Sequence, residues 1–204
     1  MGVFLFKDLK SDELKEIETS LGNPEVVAKD GELYKSGFLC ILIDGKARVC
    51  RKGGTGETVT IRNICSGEVF GAASVFGSWE QGFSSVIAGS SCTVIYLSEQ
   101  RLKELFVKYP QISLNYIAFL SDRIRFLNRR IDAFTAGSTE QKLYEYLVSA
   151  SDCSGVVKLG FGMSELARRL KMGRTSLYRG LDSLISSGLI ERQNGQIKLQ
   201  SPKI

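Results

Sequence analysis

The sequence contains no histidine, and this absence limits the chemistry that the chain can perform. Catalysis by a histidine-dependent triad or dyad is excluded, and so is haem ligation by histidine. The sequence also has no P-loop, no pair of carboxylates at catalytic spacing and no metal-ligand spacing. We therefore expect that the protein is not an enzyme and that it binds neither a metal nor a cofactor.

The five cysteines are scattered, and none belongs to a C-x-x-C pair. This distribution argues against a zinc site and against a disulfide framework. Four of the five lie in apolar or strand-like segments. We interpret these as buried structural thiols, with a redox sensor as the alternative.

Long apolar runs are missing as well. The longest run, Phe38–Ile43, is far shorter than the roughly 18 residues that a membrane-spanning helix needs. The sequence does not open with a basic segment followed by an apolar one. We therefore expect a cytoplasmic protein without a membrane partner.

Charge is distributed unevenly along the chain. Residues 1–97 contain 10 basic and 12 acidic residues, whereas residues 98–204 contain 17 basic and 10 acidic residues. The net charges are thus −2 and +7. A basic C-terminal half indicates a polyanionic partner, although a solvated surface would give the same count.

Residues 25–97 predict a β domain. Short apolar runs alternate with turn signals, a pattern typical of an antiparallel β sandwich or barrel. The dipeptide Asp44-Gly45 between two of these runs predicts a β-hairpin. The predicted strands are Leu39–Ile43, Ala47–Arg51, Thr58–Ile64 and Thr93–Leu97.

The apolar period changes to a helical one after residue 98. A helix capped by Ser98 is expected to end near Pro110, and a second helix follows from about Gln111 to Phe134. Its apolar residues repeat strictly every three and four positions, which predicts a parallel two-stranded coiled coil. A helix packed on its own core is the alternative. The predicted dimer seam consists of Ile117, Leu120, Ile124, Leu127, Ile131 and Phe134.

Three aromatic residues of the same helix, Tyr116, Phe119 and Phe126, lie on a second face. We expect them to pack against the β domain. Residues 135–137 are expected to form a hinge, and Ser138 and Gln141 a capping box of the next helix.

Residues 163–185 predict a helix-turn-helix. The first helix, Met163–Leu170, is expected to have a serine cap, and Lys171–Gly173 forms the turn. The second helix, Arg174–Ile185, is expected to bury its apolar residues Leu177, Leu181, Leu184 and Ile185. Two strands around Asn194-Gly195 then predict a β-hairpin wing.

Residues exposed at the start of the second helix are the candidates for reading DNA. Arginine donates two hydrogen bonds to guanine, and hydroxyl groups contact base edges or phosphates. The candidate base-contacting residues are Arg174, Thr175, Ser176, Tyr178 and Arg179. The candidate phosphate-contacting residues are Ser164, Arg168, Lys171 and Asn194.

This order of parts resembles the Crp/Fnr superfamily, the family of the cyclic-AMP receptor protein. The resemblance runs from about residue 25 to the end of the chain and includes Gly67–Phe76 in place of the family's phosphate-binding cassette. It implies an α+β protein with an N-terminal β-roll or jelly roll resembling cyclic-nucleotide-binding domains (1–109), a dimerisation helix and hinge (110–136) and a winged helix-turn-helix (137–204). Thr175 replaces the glutamate often found there, so a different DNA sequence is expected.

The cassette departs from the nucleotide-binding members of that family. Ala72 replaces their ribose-binding glutamate, and Gly82-Phe83 replace the Arg-Ser or Arg-Thr pair that binds the cyclic phosphate. On the dimer helix, Leu127-Asn128 replace small hydroxyl residues that meet the base. The cysteine cluster of the iron–sulfur members is absent. The pocket is expected either to be filled by its own side chains or to hold a more apolar effector, whose identity the sequence does not give. The candidate pocket residues are Gly67, Glu68, Gly71, Ala72, Ala73, Phe83, Ser84, Leu127 and Asn128.

These features predict a bacterial, homodimeric transcription regulator that binds a roughly palindromic operator in double-stranded DNA and does not respond to cyclic AMP. RNA polymerase is a further candidate partner. The alternative function is a cyclic-nucleotide-binding signalling module whose helical C-terminal region contacts a protein.

Overall fold

The structure, a computed structural model, describes residues 3–52, 58–76, 84–135, 138–193 and 196–200. Ten strands are found in these residues. The strands are β1 (Glu25–Val27), β2 (Phe38–Asp44), β3 (Lys46–Lys52), β4 (Thr58–Cys65), β5 (Val69–Phe70), β6 (Ser84–Ala88), β7 (Cys92–Ser98), β8 (Val156–Val157), β9 (Ile190–Gln193) and β10 (Gln196–Leu199).

Six α-helices accompany these strands in the described residues. They are α1 (Ser11–Ser20), α2 (Glu99–Lys108), α3 (Pro110–Thr135), α4 (Ser138–Ala150), α5 (Met163–Arg169) and α6 (Arg174–Ser186), and short 3-10 helices cover Phe4–Phe6 and Ala72–Ser74. The four strands predicted from the sequence are confirmed to within one residue at each end. The Ser98 cap of α2 is also confirmed, because its hydroxyl accepts a hydrogen bond from the Arg101 backbone N–H at 3.3 Å.

The chain packs as two units. The first contains Met1–Val59 and Ile64–Ser121, and the second contains Thr60–Asn63 and Asp122–Ile204. Two antiparallel sheets belong to the N-terminal half, with strand orders β1-β7-β2-β5 and β4-β3-β6. A third sheet, ordered β8-β10-β9, belongs to the second unit.

The alternation of side chains along β2 separates the two cores of the first unit. Leu39 and Ile41 point to one face of the sheet, where they pack with residues of α1, α2 and α3. Cys40 and Leu42 point to the other face and pack with residues of the second sheet. The predicted β-roll is therefore confirmed as two packed sheets with helices on one side.

The hairpin predicted at Asp44-Gly45 is wrong. β2 pairs with β5 and β7, whereas β3 pairs with β4 and β6, so the turn carries the chain from one sheet to the other. Gly45 has φ +101°, and a Cβ there would lie 2.5 Å from the Ser91 carbonyl oxygen. Gly45 alone connects β2 to β3, and a connection of one residue is too short to form a hairpin. The positive φ and the close Ser91 carbonyl oxygen together require glycine at this corner.

The second unit has its own apolar core. It joins α4, α5 and α6 to the small sheet through residues such as Leu143, Leu166, Leu181 and Ile197. The Asn63 side-chain amide donates to the Val148 and Ser151 carbonyl oxygens at 3.3 and 3.1 Å, near the end of α4. This packing places Thr60–Asn63 in the second unit.

The cysteines follow the sequence interpretation only in part. Cys40, Cys50 and Cys92 are buried free thiols, as expected. Cys65 and Cys153 are disulfide-bonded, which corrects the expectation for these two residues. Within the described ranges, no group of three or more cysteine, aspartate or glutamate side chains is arranged to hold a metal ion.

No helix among the described residues is both long enough and apolar enough to cross a membrane.

Candidate nucleic-acid interface

The helix-turn-helix predicted from the sequence is present as α5 and α6. Leu166 and Ala167 of α5 and Leu177 of α6 are buried in one core. The Met172 backbone N–H donates to the Ala167 carbonyl oxygen at 3.0 Å and ties the turn to the end of α5. The shared apolar core fixes α6 in the unit, while Arg174, Thr175 and Arg179 on its other side are exposed.

Two details of this motif differ from the expectation. Ile185 leaves 38% of its surface exposed, so it does not belong to the buried set. The residue that caps α5 is Gly162, which has no side chain, and Ser164 lies exposed within the first turn. The helix begins at Met163, two residues earlier than a cap at Ser164 would require.

The turn between the helices contains an unusual backbone conformation. Lys171 has φ +52°, in the left-handed region that favours glycine. Its N–H donates to the Arg168 carbonyl oxygen at 3.1 Å, and its side chain is exposed. A cationic side chain is thus held at the turn at some cost in backbone energy.

The first turns of α6 present polar side chains to solvent. The five candidate base-contacting residues, Arg174, Thr175, Ser176, Tyr178 and Arg179, are all exposed. Gly180 on the opposite face is buried, and a Cβ there would lie 3.4 Å from the Leu143 side chain of α4. α6 is therefore anchored on one face while its N-terminal end, which favours anions, projects outward.

An ion-pair network on α5 was not expected from the sequence. Glu165 accepts hydrogen bonds from Arg168 at 2.8 and 2.7 Å and from Arg169 at 3.0 Å. These bonds lower the pKa of the Glu165 carboxyl to about 2, with Arg168 contributing more than Arg169. The i, i+3 and i, i+4 spacing of the three residues was the signal that could have revealed the network.

The wing is the hairpin formed by β9 and β10. Gln196 pairs with Gln193, which confirms that the two predicted strands form a hairpin, whereas Asn194-Gly195 between them lie outside the described residues. Arg192 and Lys198 are exposed on these strands and add two cations beyond those predicted from the sequence. Asn194, a candidate phosphate contact, lies outside the described residues.

The apolar seam of α3 is largely uncovered in the single chain. Ile117, Ile124, Leu127 and Ile131 are all exposed, whereas Leu120 and Phe134 are partly buried against the cores of the first and second unit. A helix packed entirely on its own core would bury such a stripe. The exposure therefore favours the coiled-coil interpretation over the alternative.

The aromatic residues on the second face of α3 follow the expectation in two cases out of three. Tyr116 and Phe119 are buried in the first unit, and the Tyr116 hydroxyl donates to the Ala72 carbonyl oxygen at 2.7 Å. Phe126 is instead buried in the core of the second unit. The expectation that it packs on the β domain is wrong, because α3 passes into the second unit at Asp122.

Five of the nine candidate pocket residues lie close together in the sequence. Gly67, Glu68, Gly71, Ala72 and Ala73 follow one another in the segment around β5. The Glu68 carboxylate accepts a hydrogen bond from the Cys65 backbone N–H at 2.9 Å. This acidic group is therefore bonded to the backbone of its own segment. Ala72 is buried and Ala73 is exposed.

The other candidate pocket residues lie elsewhere. Ser84 begins β6, whereas Leu127 and Asn128 lie exposed on α3 and belong to the second unit. Phe83 lies outside the described residues. Glycine at position 71 is required locally, because φ is +79° and a Cβ would lie 2.6 Å from the Phe38 carbonyl oxygen.

The N-terminal half of the chain matches a known domain family. Residues 19–109 match the model of the cyclic nucleotide-binding domain. No curated protein sequence matches the chain.

Solved structures with a similar fold cover nearly all of the chain. The catabolite activator protein of Thermus thermophilus has a TM-score of 0.60 at 20% identity, over 97% of this chain and 93% of that chain. The c-di-GMP responsive global regulator CLP of Xanthomonas campestris has a TM-score of 0.55 at 18% identity, over 92% and 99%. The CO-dependent transcription factor CooA of Carboxydothermus hydrogenoformans, in its imidazole-bound form, has a TM-score of 0.52 at 20% identity, over 98% and 92%.

Proposed function

We propose that this chain, which has the fold of the Crp/Fnr-type transcription regulators, is a sequence-specific DNA-binding regulator that acts as a homodimer. The proposal assigns no catalytic step to the chain. It also places the protein in the bacterial cytoplasm, where its operator and the candidate partner RNA polymerase are found.

The exposed N-terminal end of α6 is the observation that carries the proposal. Arg174 and Arg179 flank two hydroxyl residues and Tyr178 on a surface whose opposite face is buried. Side chains at the start of a recognition helix reach the base edges of the major groove, and arginine pairs with guanine. The cations of the wing, Arg192 and Lys198, supply further positive charge on the same small domain.

The exposed seam of α3 supports a dimer. Ile at the a positions with Leu at d positions favours a coiled coil of two parallel helices. In such a dimer the two recognition helices would meet half-sites about 34 Å apart, in successive major grooves. The operator should therefore be roughly palindromic.

The β domain is proposed to sense a signal other than cyclic AMP. The Glu68 carboxylate is bonded to the chain's own backbone, and Ala72 is buried with its carbonyl oxygen bonded to Tyr116. Phe70, Ile64, Val86 and Val94 occupy the apolar core between the two sheets. These contacts favour a pocket filled by its own side chains.

A signalling module that binds a cyclic nucleotide and contacts a protein through its helices is the second candidate. The match of residues 19–109 to the cyclic nucleotide-binding domain favours it. The exposed arginines of α6 distinguish the two candidate functions. Only a DNA-binding regulator should lose its binding to DNA when Arg174 and Arg179 are replaced.

The deciding experiment is selection of bound duplexes from a random pool with the full chain. The proposal expects enrichment of a roughly palindromic motif. A duplex that carries this motif should then be shifted in a gel by nanomolar concentrations of the protein. The double variant with Arg174→Ala and Arg179→Ala should lose the motif. Failure of the wild-type chain to enrich any sequence would overturn the proposal.

A further inference from the structure

One acidic residue lies within the basic surface of the helix-turn-helix. Residues 163–179 contain five basic residues and a single acidic residue, Glu165. Its Oε2 accepts a hydrogen bond from Nε of Arg168 at 2.8 Å, and its Oε1 accepts one from Nη2 of the same guanidinium at 2.7 Å. The same two-pronged geometry allows a guanidinium to bind a phosphate.

The two arginines paired with Glu165 differ in their surroundings. Arg169 donates to Oε1 at 3.0 Å, and its Cζ lies 4.1 Å from the centroid of the Phe161 ring. Its guanidinium is therefore held by both a carboxylate and an aromatic face. The side chain of Arg168 is 77% exposed, compared with 51% for Arg169 and 30% for Glu165.

A phosphate can therefore reach Arg168 from solvent, while Arg169 stays beside Glu165. Loss of Arg168 to a phosphate would leave the carboxylate neutralised by Arg169, so the exchange would not create an unpaired charge. Without Arg169, the freed carboxylate would repel the incoming phosphate at close range.

We propose that Glu165 competes with DNA phosphate for Arg168 and thereby weakens binding to DNA of arbitrary sequence. The inference rests on the proposed function in DNA binding. On arbitrary DNA no base contact fixes the register of the protein, and Arg168 remains on Glu165. On the operator, base contacts from α6 hold a phosphate in place long enough for it to replace Glu165 as the partner of Arg168.

The test compares Glu165→Gln with the wild-type chain on two probes. One probe is a random-sequence duplex of about 30 base pairs, and the other has the same length and carries the selected operator. Binding is measured by fluorescence anisotropy between about 50 and 200 mM salt. Circular dichroism and thermal unfolding check that the variant is folded.

The variant should bind the random duplex about two- to fivefold more tightly, the range that one exposed ion pair supplies. The slope of log K against log salt should steepen by about one unit on this probe, because one more phosphate is neutralised. Operator affinity should rise less, so the ratio of operator to random affinity should fall.

Glu145→Gln is the matched control, because it removes the same charge from α4, where Glu145 accepts a hydrogen bond from Gln141. It should leave the salt slope unchanged. In the Arg168→Gln background, Glu165→Gln should no longer steepen the slope. Equal effects of Glu165→Gln and Glu145→Gln, or a steeper slope that persists without Arg168, would overturn the inference.

These outcomes are separable from failure of the proposed function. If the wild-type chain binds neither duplex, the proposed function itself is wrong. If it binds the operator through Arg174 and Arg179 but Glu165→Gln behaves like the wild type on both probes, only the role of Glu165 is wrong.

Discussion

Ile117 and Ile124 lie two turns apart on the same side of α3, and each leaves 59% of its surface exposed. Leu127 and Ile131 continue this stripe at 43% and 63% exposure. Contiguous exposed aliphatic side chains at heptad spacing are typical of a helix that pairs with a second helix.

Replacement of Ile124 with lysine should dissociate the dimer, because it would bury a charge without a partner at the centre of the seam. Sedimentation velocity at micromolar concentration measures the result. Ala118→Lys is the matched control, since Ala118 is exposed on α3 but off the seam. A dimer that persists in the Ile124→Lys variant would show that the seam is not the interface.

Arg174 and Arg179 should determine which bases are recognised, whereas Lys171 should contribute mainly charge. Arg179→Ala is expected to cost about 1–3 kcal/mol and to relax the preference at one base pair. Lys171→Ala should weaken all sequences alike and flatten the salt slope by about one unit. Selection from a random pool distinguishes these effects. An unchanged motif in the double variant lacking Arg174 and Arg179 would contradict the assignment.

Cyclic AMP and cyclic GMP should not bind with high affinity. A buried cyclic phosphate needs a positive partner or aimed donors, and Ala72 has no group to accept a ribose hydroxyl. Isothermal titration at millimolar nucleotide concentration should give no saturable binding tighter than about 100 μM. Tighter binding that is lost on mutation in the segment 67–85 would show that the cassette is functional.

Lys171→Gly should stabilise the protein, because the left-handed conformation costs a non-glycine residue about 1–2 kcal/mol. The greater flexibility of glycine in the unfolded chain offsets part of this, so a net gain of about 0.5–1 kcal/mol is expected. Urea denaturation measures the free energy of unfolding. Lys171→Ala keeps the Cβ and should show no such gain. Equal stability of the two variants would rule out strain at the turn.

The Cys40 thiol should resist alkylation in the folded protein. Burial raises the pKa of Cys40 from 9.0 to about 12, so the folded chain holds this proton more tightly than the unfolded chain. The stability gained from the neutral thiol is complete below pH 9 and is lost as the pH rises from 9 through 12. Mass spectrometry after iodoacetamide treatment at pH 8 should find Cys40 modified only when urea is present. Rapid labelling without urea would contradict its burial.

The helices of the second unit could be predicted almost to the residue. Leu177, Leu181 and Leu184 recur at helical spacing, and Gly173 and Gly188 bound the segment. These signals are local, because each residue contacts neighbours three or four positions away. The exposure of Ile185 and the side on which Phe126 is buried depend on packing and were predicted wrongly, and the serine cap of α5 was wrong as well.

The strands were harder to predict. β1, β5 and β6 were missed because each is short and lacks a clear alternation. The Asp44-Gly45 signal was real, but it marked a corner between sheets. A turn dipeptide reports the local direction of the chain, and it does not report which strand becomes the partner.

By itself, the sequence determined the order of the parts, the apolar stripe of α3 and the polar N-terminal end of α6, because each depends on the spacing of nearby residues. The tertiary structure alone decided how the strands pair, as in the contact of Glu25 with Val94, and which side chains remain exposed. It also decided that the Arg169 guanidinium lies over the Phe161 ring. Such contacts form only after the packing of apolar residues has fixed the backbone, so a linear pattern does not contain them.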